Sequence, residues 1–331
     1  MTLPFRSGTP GQFVSKNPSI DLLKGVLILL VMGGHVRELT GAHDLALWVG
    51  SGFRMPLMVG ISGYLLNVTR TRSDNIRRLM SRYGRRMLLP WLFAGMVYMI
   101  AGGGALHWTL PLDLLFRPPF HLWYVPTLFF LIMLTRLLPF SPLVLLAAGT
   151  PVSLAIMYGF GLNHGPIGDS LFSPDSRFLR YPVFFFFGML LAERRISRRH
   201  LGIAGAIALL GLLWWSGLRD ADNPMAFVPA RLLMCLGLIA LLPTLSGLRL
   251  EFAPVNAIGR DSLFFYLWHP LVMAVLVMFG LGPATTMALS VLLLALGCRA
   301  TARGTLLPLL LGNAQRQRAA EPPLAPAPLP A

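Results

Sequence analysis

The residues best suited to chemistry lie in the first apolar segment, which contains a histidine at His35 and a lysine eleven positions earlier at Lys24. Ionisable side chains at membrane depth are energetically costly and usually face a polar cavity. Eleven residues return an α-helix to nearly the same face, about 16 Å further along its axis. One helix face would therefore carry a cation near one membrane edge and a titratable imidazole well inside.

Two acidic residues extend this helix face. Asp21 precedes Lys24 by three positions and can pair with it, and Glu38 follows His35 by three positions and can accept a hydrogen bond from the imidazole. Lys24 and His35 are too far apart to share a proton, so we expect them to contact two ends of one long ligand. The alternatives are that Lys24 extends to the membrane interface and that His35 is a satisfied core histidine.

The second apolar segment combines Arg54 with Pro56 and several small residues. Proline removes a backbone donor and small residues let helices approach closely, so we expect this helix to bend and line a cavity. The alternative is helix packing through Gly60 and Gly63, with Arg54 extending to the outer surface.

Two further segments carry aromatic and imidazole side chains. At the start of the fourth apolar segment, His121, Trp123 and Tyr124 would form either an interfacial aromatic belt or a platform for a sugar ring. In the ninth segment, His269 is a second intramembrane imidazole, and Pro270 directly follows it. Packing alone is the alternative explanation for His269.

The elements that must position these residues are membrane helices. The 331 residues are 55% hydrophobic and 12% charged, about half the charged fraction of a soluble domain, and the mean hydropathy is +0.66. We predict an all-α polytopic membrane bundle of about ten transmembrane helices over residues 20–302. An N-terminal cytoplasmic segment, 1–19, and a disordered Pro/Ala-rich tail, 303–331, would flank it. Residues 1–19 are polar and contain three prolines, so we expect no signal peptide. The predicted spans are 20–39, 45–66, 87–104, 121–138, 142–162, 181–193, 201–217, 229–246, 262–280 and 284–302.

Charge predicts the orientation of this bundle. The net charge is +15, and the arginines cluster in short loops between apolar segments. This is the pattern of positive-inside topology rather than of nucleic-acid binding, and it places both termini in the cytoplasm. Cys235 and Cys298 lie within apolar segments and have no metal-ligand spacing. The clustered arginines are Arg70, Arg72, Arg77, Arg78, Arg82, Arg85, Arg86, Arg194, Arg195, Arg198, Arg199, Arg299, Arg303, Arg316 and Arg318.

Taken in order, these segments resemble the acyltransferase-3 family of integral membrane O-acyltransferases, in particular its sugar O-acetylase branch. The resemblance spans roughly residues 16–272. Its first helix pairs a basic residue, commonly arginine, with a histidine after ten intervening residues; here Lys24 takes the place of the arginine and lacks its bidentate fork. Arg54 occupies the position where one branch carries histidine. The matching runs are Ile20–His35, Arg54–Tyr64, Arg85–Trp91, His121–Pro126, Phe184–Gly188 and Gly259–Pro270.

The resemblance implies transfer of an acyl group, most simply acetyl, from cytoplasmic acyl-CoA to a hydroxyl of a cell-envelope glycan or lipid-linked sugar. His35, assisted by Glu38, would be the general base, or would carry the acyl group covalently. Lys24, Arg82, Arg85 and Arg86 would bind the phosphates of acyl-CoA. The expected acceptor-binding residues are Arg54, Ser62, Tyr64, His121, Trp123, Tyr124 and His269.

We therefore expect an acyltransferase, of the class that transfers groups other than aminoacyl groups, in a bacterial inner membrane. Acyl-CoA would be its co-substrate, and we expect no metal and no tightly bound cofactor. Bent helices and buried charges also line translocation paths, so a transporter or flippase is the alternative. A non-catalytic subunit that binds a cell-envelope partner is a third possibility.

Overall fold

The computed structural model describes residues 17–41, 44–103, 109–170, 172–194, 197–221, 223–302 and 306–313. Over these residues the chain is helical and contains no β-strand. The predicted all-α class is therefore confirmed. The helices, in chain order, are α1 Pro18–Leu39, α2 Leu45–Tyr64, α3 Val68–Ser73, α4 Ile76–Tyr83, a π-helical segment Gly84–Leu88, α5 Leu89–Ala101, α6 Leu110–Phe116, α7 Tyr124–Leu137, α8 Pro142–Phe160, α9 Arg177–Arg180, α10 Pro182–Ala192, α11 Arg198–Gly217, α12 Pro224–Ala240, α13 Leu242–Gly247, α14 Ala253–Arg260, α15 Ser262–Met278, α16 Pro283–Thr301 and α17 Leu306–Leu311.

Helices α1 and α2, which carry several of the predicted site residues, both begin with side-chain caps. The Asn17 side chain accepts a hydrogen bond from the backbone N–H of Ser19 at 2.9 Å, and Pro18 occupies the first helical turn. Asp44 caps α2 by accepting from the backbone N–H of Leu47 at 2.8 Å. The 22 residues of α1 extend about 33 Å, so Lys24 and His35 lie on one continuous helix.

Close helix packing depends on glycine at two crossings. Gly63 of α2 meets α10, where an added Cβ would lie 2.0 Å from the carbonyl oxygen of Phe185. Gly259 of α14 meets α1, where an added Cβ would lie 1.8 Å from the carbonyl oxygen of Asp21. Backbones this close leave no room for a side chain, so helix packing explains Gly63 without any role in ligand binding.

Helices occupy all ten positions at which we predicted membrane spans, but they differ in length. Among the described residues, six helical stretches are long and apolar enough to cross a membrane, and α14 with α15 would make a seventh if this pair, bent by 90°, is one span. Helices α5, α7 and α10 are shorter, because a π-helical segment or an irregular turn interrupts the apolar run before each of them. The count of ten and the cytoplasmic termini stay predictions. The six stretches are Pro18–Leu39, Leu45–Tyr64, Pro142–Phe160, Arg199–Gly217, Met225–Gly247 and Pro283–Thr301.

Packed structure extends beyond residue 302. Helix α17 contacts α5, and the indole N–H of Trp268 donates to the carbonyl of Leu311 at 3.0 Å. The side chain of Asn313 donates to the carbonyl of Cys298 at 2.7 Å. The predicted tail therefore includes an ordered helix over Leu306–Leu311. The remainder of that tail and residues 1–16 of the N-terminal segment lie outside the described residues.

Candidate active site

Two cavities lie at opposite ends of α1. The first, of about 510 Å³, is lined by Lys24 and is called here the Lys24 cavity. The second, of about 910 Å³, is lined by His35 and Glu38 and is called the His35 cavity. Tyr266 of α15 borders both. The sequence predicted that Lys24 and His35 contact two ends of one long ligand. In the structure the two residues line separate cavities, and the rings of Tyr124 from α7 and Tyr266 from α15 lie 5.3 Å apart beside them.

His35 is held by its neighbour on α1. Its Nδ1 lies 2.8 Å from the Glu38 carboxylate oxygen Oε2. An ionised carboxylate only accepts hydrogen bonds, so Nδ1 carries the proton and the lone pair remains on Nε2. The side chain of His35 is 30% exposed and opens on the His35 cavity. An imidazole oriented in this way and open to a cavity has the geometry that general-base chemistry requires.

Three imidazoles from distant parts of the chain meet beside this cavity. The ring of His35 lies 5.2 Å from that of His269 and 5.9 Å from that of His121, and the rings of His121 and His269 are 5.3 Å apart, centroid to centroid. They come from α1, from the turn before α7 and from α15. No group of three or more histidine, cysteine or acidic side chains in the described part of the chain is arranged to hold a metal ion.

Pro270 shapes the segment that carries His269. A proline at 270 cannot donate to the carbonyl of Tyr266, four residues earlier. The Nδ1 of His269 lies 3.0 Å from that carbonyl and 2.8 Å from the carbonyl of Phe265. Carbonyls only accept, so this nitrogen carries the proton. Its Nε2 is buried without a hydrogen-bond partner, and the ring is fully buried rather than part of the cavity wall.

Tyr98 of α5 completes the same bend. Its hydroxyl accepts from the backbone N–H of Leu271 at 3.1 Å and donates to the carbonyl of Leu267 at 3.0 Å. It thus bridges one turn of α15 that a normal helix closes by a direct backbone bond. Tyr98 also lines the His35 cavity. Sequence reasoning missed Tyr98, because nothing in the apolar run around it indicates its two partners, which lie 169 and 173 residues further along the chain.

His121 enters the cluster from a sharp turn. The preceding residue, Phe120, has a φ of 50°, a left-handed conformation that is uncommon for a bulky side chain and turns the chain inward. The hydroxyl of Tyr266 donates to the carbonyl of His121. Both ring nitrogens of His121 are buried without a hydrogen-bond partner. The imidazole borders the His35 cavity, although its nitrogens are buried from it.

Arg54 points inward, so it does not extend to the outer surface. Its Nη1 donates to the carbonyl of Leu30 on α1 at 2.8 Å, and the residue is 8% exposed. Gly34 makes room for it, because an added Cβ there would lie 1.5 Å from that nitrogen. The guanidinium therefore clamps α1 immediately before His35 while also lining the His35 cavity.

The remaining predicted acceptor residues are divided between the cavities. Trp123 lines the His35 cavity and stacks on Tyr181, with ring centroids 4.8 Å apart. Ser62 and Tyr124 line the Lys24 cavity instead, and their hydroxyls are 2.9 Å apart. Tyr64 bonds to the Ser246 hydroxyl at 2.9 Å and lines neither cavity. Trp123 and Tyr124 are neighbours in the sequence but line different cavities, because adjacent residues on a helix point in different directions.

The Lys24 cavity is basic. Lys24 pairs with Asp21 at 3.5 Å, as its spacing predicted, and Arg82 pairs with Asp74 at 2.5 Å. Arg86 lines this cavity, but Arg85 does not. Both belong to the π-helical segment, whose wider turn changes the direction of successive side chains. Arg70, which we had not assigned to the site, also lines it.

The family model described as an acyltransferase domain, Acyl_transf_3, matches residues 17–301. Neither the search of curated proteins nor the search of solved structures gives a match. The matched range contains α1 through α16, and with them every described residue named above around the two cavities. The several long apolar helices agree with a multi-pass membrane protein. The chain belongs to the acyltransferase-3 family and is a membrane acyltransferase.

Proposed function

We propose that this protein transfers an acyl group, most simply acetyl, from acyl-CoA in the cytoplasm to a hydroxyl of a cell-envelope glycan or lipid-linked sugar at a bacterial inner membrane. One observation carries the proposal. The oriented His35 opens on the larger cavity, while Lys24, on the same helix, lines a second, basic cavity at the other end. A long ligand with a charged end and a reactive end suits this layout.

The donor occupies the Lys24 cavity. Lys24, Arg70, Arg82 and Arg86 offer positive charge for the nucleotide phosphates of acyl-CoA. The separation of about 16 Å along α1 is comparable to the reach of the pantetheine arm. Since Tyr266 borders both cavities, the arm passes beside this ring, whose side chain moves to admit the thioester.

The acceptor enters the His35 cavity and the reaction follows. Nε2 of His35 takes the proton of the acceptor hydroxyl as its oxygen attacks the thioester carbonyl carbon. Collapse of the tetrahedral intermediate breaks the carbon–sulfur bond. The imidazolium then returns its proton to the departing thiolate, so the products are an ester and free CoA. Glu38 holds the imidazole in the reactive tautomer throughout.

The test uses the purified full-length protein in lipid nanodiscs, with radiolabelled acetyl-CoA and envelope glycans. We expect His35→Ala to lower transfer by about 10²- to 10⁴-fold without loss of membrane insertion. His200→Ala is the matched control, because His200 is exposed and bonds locally to Ser197. Full activity of His35→Ala would remove the assignment. Rapid quenching in neutral denaturant during turnover tests the covalent variant, in which label would remain on His35.

A transporter of a lipid-linked sugar is the second candidate. Two cavities bordered by one shared side chain are also what a translocation path requires. Proteoliposomes loaded with a fluorescent lipid-linked sugar distinguish the two. Flux without acyl-CoA would support transport, whereas accumulation of an acylated product that depends on acyl-CoA supports the transferase.

A further inference from the structure

Four buried arginines line the His35 cavity. Arg54 comes from α2, Arg177 and Arg180 from α9, and Arg231 from α12, and each is less than 10% exposed. Against these four cations, the described lining of this cavity contains one acidic residue, Glu38. Buried cations are normally paired with carboxylates, so the local excess of positive charge requires an explanation.

Arg177 has its own counter-ion. Its Nε and Nη2 donate to the two carboxylate oxygens of Asp175 at 2.7 and 2.8 Å. It also donates to the carbonyls of Phe120 and Pro118, at 3.0 and 3.2 Å. Four of its five N–H donors are used in this way, so Arg177 mainly anchors the turn that leads to His121.

Two of the others are held by backbone carbonyls. Arg54 donates to Leu30, as described above. Arg231 donates through Nε to the carbonyl of Gly52 at 2.9 Å, the group that Pro56 leaves without its helical partner. Among the residues that the structure describes, neither forms an ion pair with a carboxylate. The charge of Glu38 acts on Arg54 from a distance greater than that of an ion pair, and a bound anion would bring further compensation to both cations.

Arg180 is the least satisfied of the four. Its Nη2 donates to the carbonyl of Asn163, but its Nε–H is buried without a hydrogen-bond partner. The like charges of Arg231 and Arg177 act on Arg180, and the opposite charge of Asp175 offsets part of their effect. Within the described ranges, it forms no ion pair with a carboxylate. A buried donor on an unpaired cation is unfavourable until an anion supplies the missing acceptor.

We propose that the His35 cavity binds an acceptor that carries an anionic oxygen group, a phosphate or a carboxylate, and that Arg180 and Arg231 hold this group while the acceptor hydroxyl faces His35. This inference rests on the proposed function and narrows its acceptor class. A guanidinium edge matches both anions by two parallel hydrogen bonds. The cavity of about 910 Å³ has the size of a site for a charged monosaccharide unit.

Binding without acyl-CoA tests the inference. The full-length protein in nanodiscs is titrated at fixed ionic strength with glucose 1-phosphate, glucuronate and methyl glucoside. We expect at least one anionic sugar to bind about tenfold or more tightly than the neutral glycoside. Preference for glucose 1-phosphate identifies a phosphorylated acceptor, and preference for glucuronate identifies a uronic acid. Equal affinity for all three in the wild-type protein would overturn the proposal, whatever the variants do.

Substitutions of single residues test whether Arg180 binds the anionic group of the sugar. Arg180→Gln should abolish the preference for the anionic sugar, and Arg180→Lys should retain part of it, because lysine keeps the charge and loses the fork. Arg219→Gln, at an exposed arginine that pairs with Asp220, is the control and should bind as the wild type does. An unchanged preference in a folded Arg180→Gln protein would exclude Arg180. His35→Ala should still bind the anion, so loss of transfer and loss of anion binding are separate results.

Discussion

Arg54 of α2 occupies the space above Gly34 of α1, with its Nη1 where an added Cβ at Gly34 would come within 1.5 Å. The same nitrogen donates to the carbonyl of Leu30 at 2.8 Å. Because glycine has no side chain, position 34 leaves room for the buried guanidinium of Arg54, which holds the turn of α1 that carries His35.

Gly34→Ala should accordingly displace Arg54. We expect a loss of about 1–3 kcal/mol in the free energy of unfolding and reduced transfer, because the guanidinium must give up its bond to Leu30. Gly33→Ala is the matched control, since nothing lies within 4 Å of a Cβ added there. Thermal unfolding and turnover of the two variants check this. Equal effects at both positions would contradict the clamp.

Two substitutions of Glu38 should distinguish the effect of its hydrogen bond to His35 from the effect of its negative charge. Glu38→Gln retains an oxygen that can accept from Nδ1 of His35, whereas Glu38→Ala leaves the imidazole free to turn. We expect kcat to fall by about tenfold in the first variant and by about 10²-fold in the second. The KM for acyl-CoA should not change. A larger loss for Gln than for Ala would argue against Glu38 as a positioning residue.

Adjacent arginines should differ in donor binding. Arg86→Gln should raise the KM for acetyl-CoA by about tenfold, because Arg86 lines the Lys24 cavity and contributes a charge there. Arg85→Gln should have a smaller effect, since Arg85 does not line it. Acetyl-pantetheine has no nucleotide phosphates, so its KM should be unaffected by either change. Steady-state kinetics with both donors measures this, and equal effects of the two variants would contradict the assignment.

Tyr98→Phe should weaken the bend in α15. The change leaves the N–H of Leu271 and the carbonyl of Leu267 without the bridging hydroxyl in a buried position. We expect a loss of about 1–3 kcal/mol in the free energy of unfolding. Tyr158→Phe is the control, because Tyr158 is 41% exposed. Denaturant titration of both variants gives the comparison, and an equally small loss in each would show that the bridge contributes nothing.

Local relationships could be predicted from the sequence. The pairs Asp21–Lys24 and His35–Glu38 follow from residues three positions apart on one helix, and both occur. The ten helical positions followed from apolar runs. The ordered motifs predicted the acyltransferase-3 family, which the domain match over 17–301 confirms, whereas the sugar O-acetylase branch stays a prediction.

Long-range relationships could not be predicted in the same way. The meeting of His35, His121 and His269 depends on how three separate elements pack, which no spacing encodes. The burial of Arg180 likewise arises from tertiary packing, so the sequence did not mark this arginine as a site residue. The division of Ser62 and Tyr124 from Trp123 has the same origin, since Tyr266 arrives from a helix far along the chain.

Tyr266 borders both cavities, so any donor that reaches His35 from the Lys24 cavity has to pass this side chain. If only the slender, uncharged arm of a carrier crosses beside this ring, its multiply charged nucleotide never enters hydrocarbon, where transfer is strongly unfavourable. With its hydroxyl bonded to the carbonyl of His121, the same ring would narrow the route that water and ions could take between the two cavities.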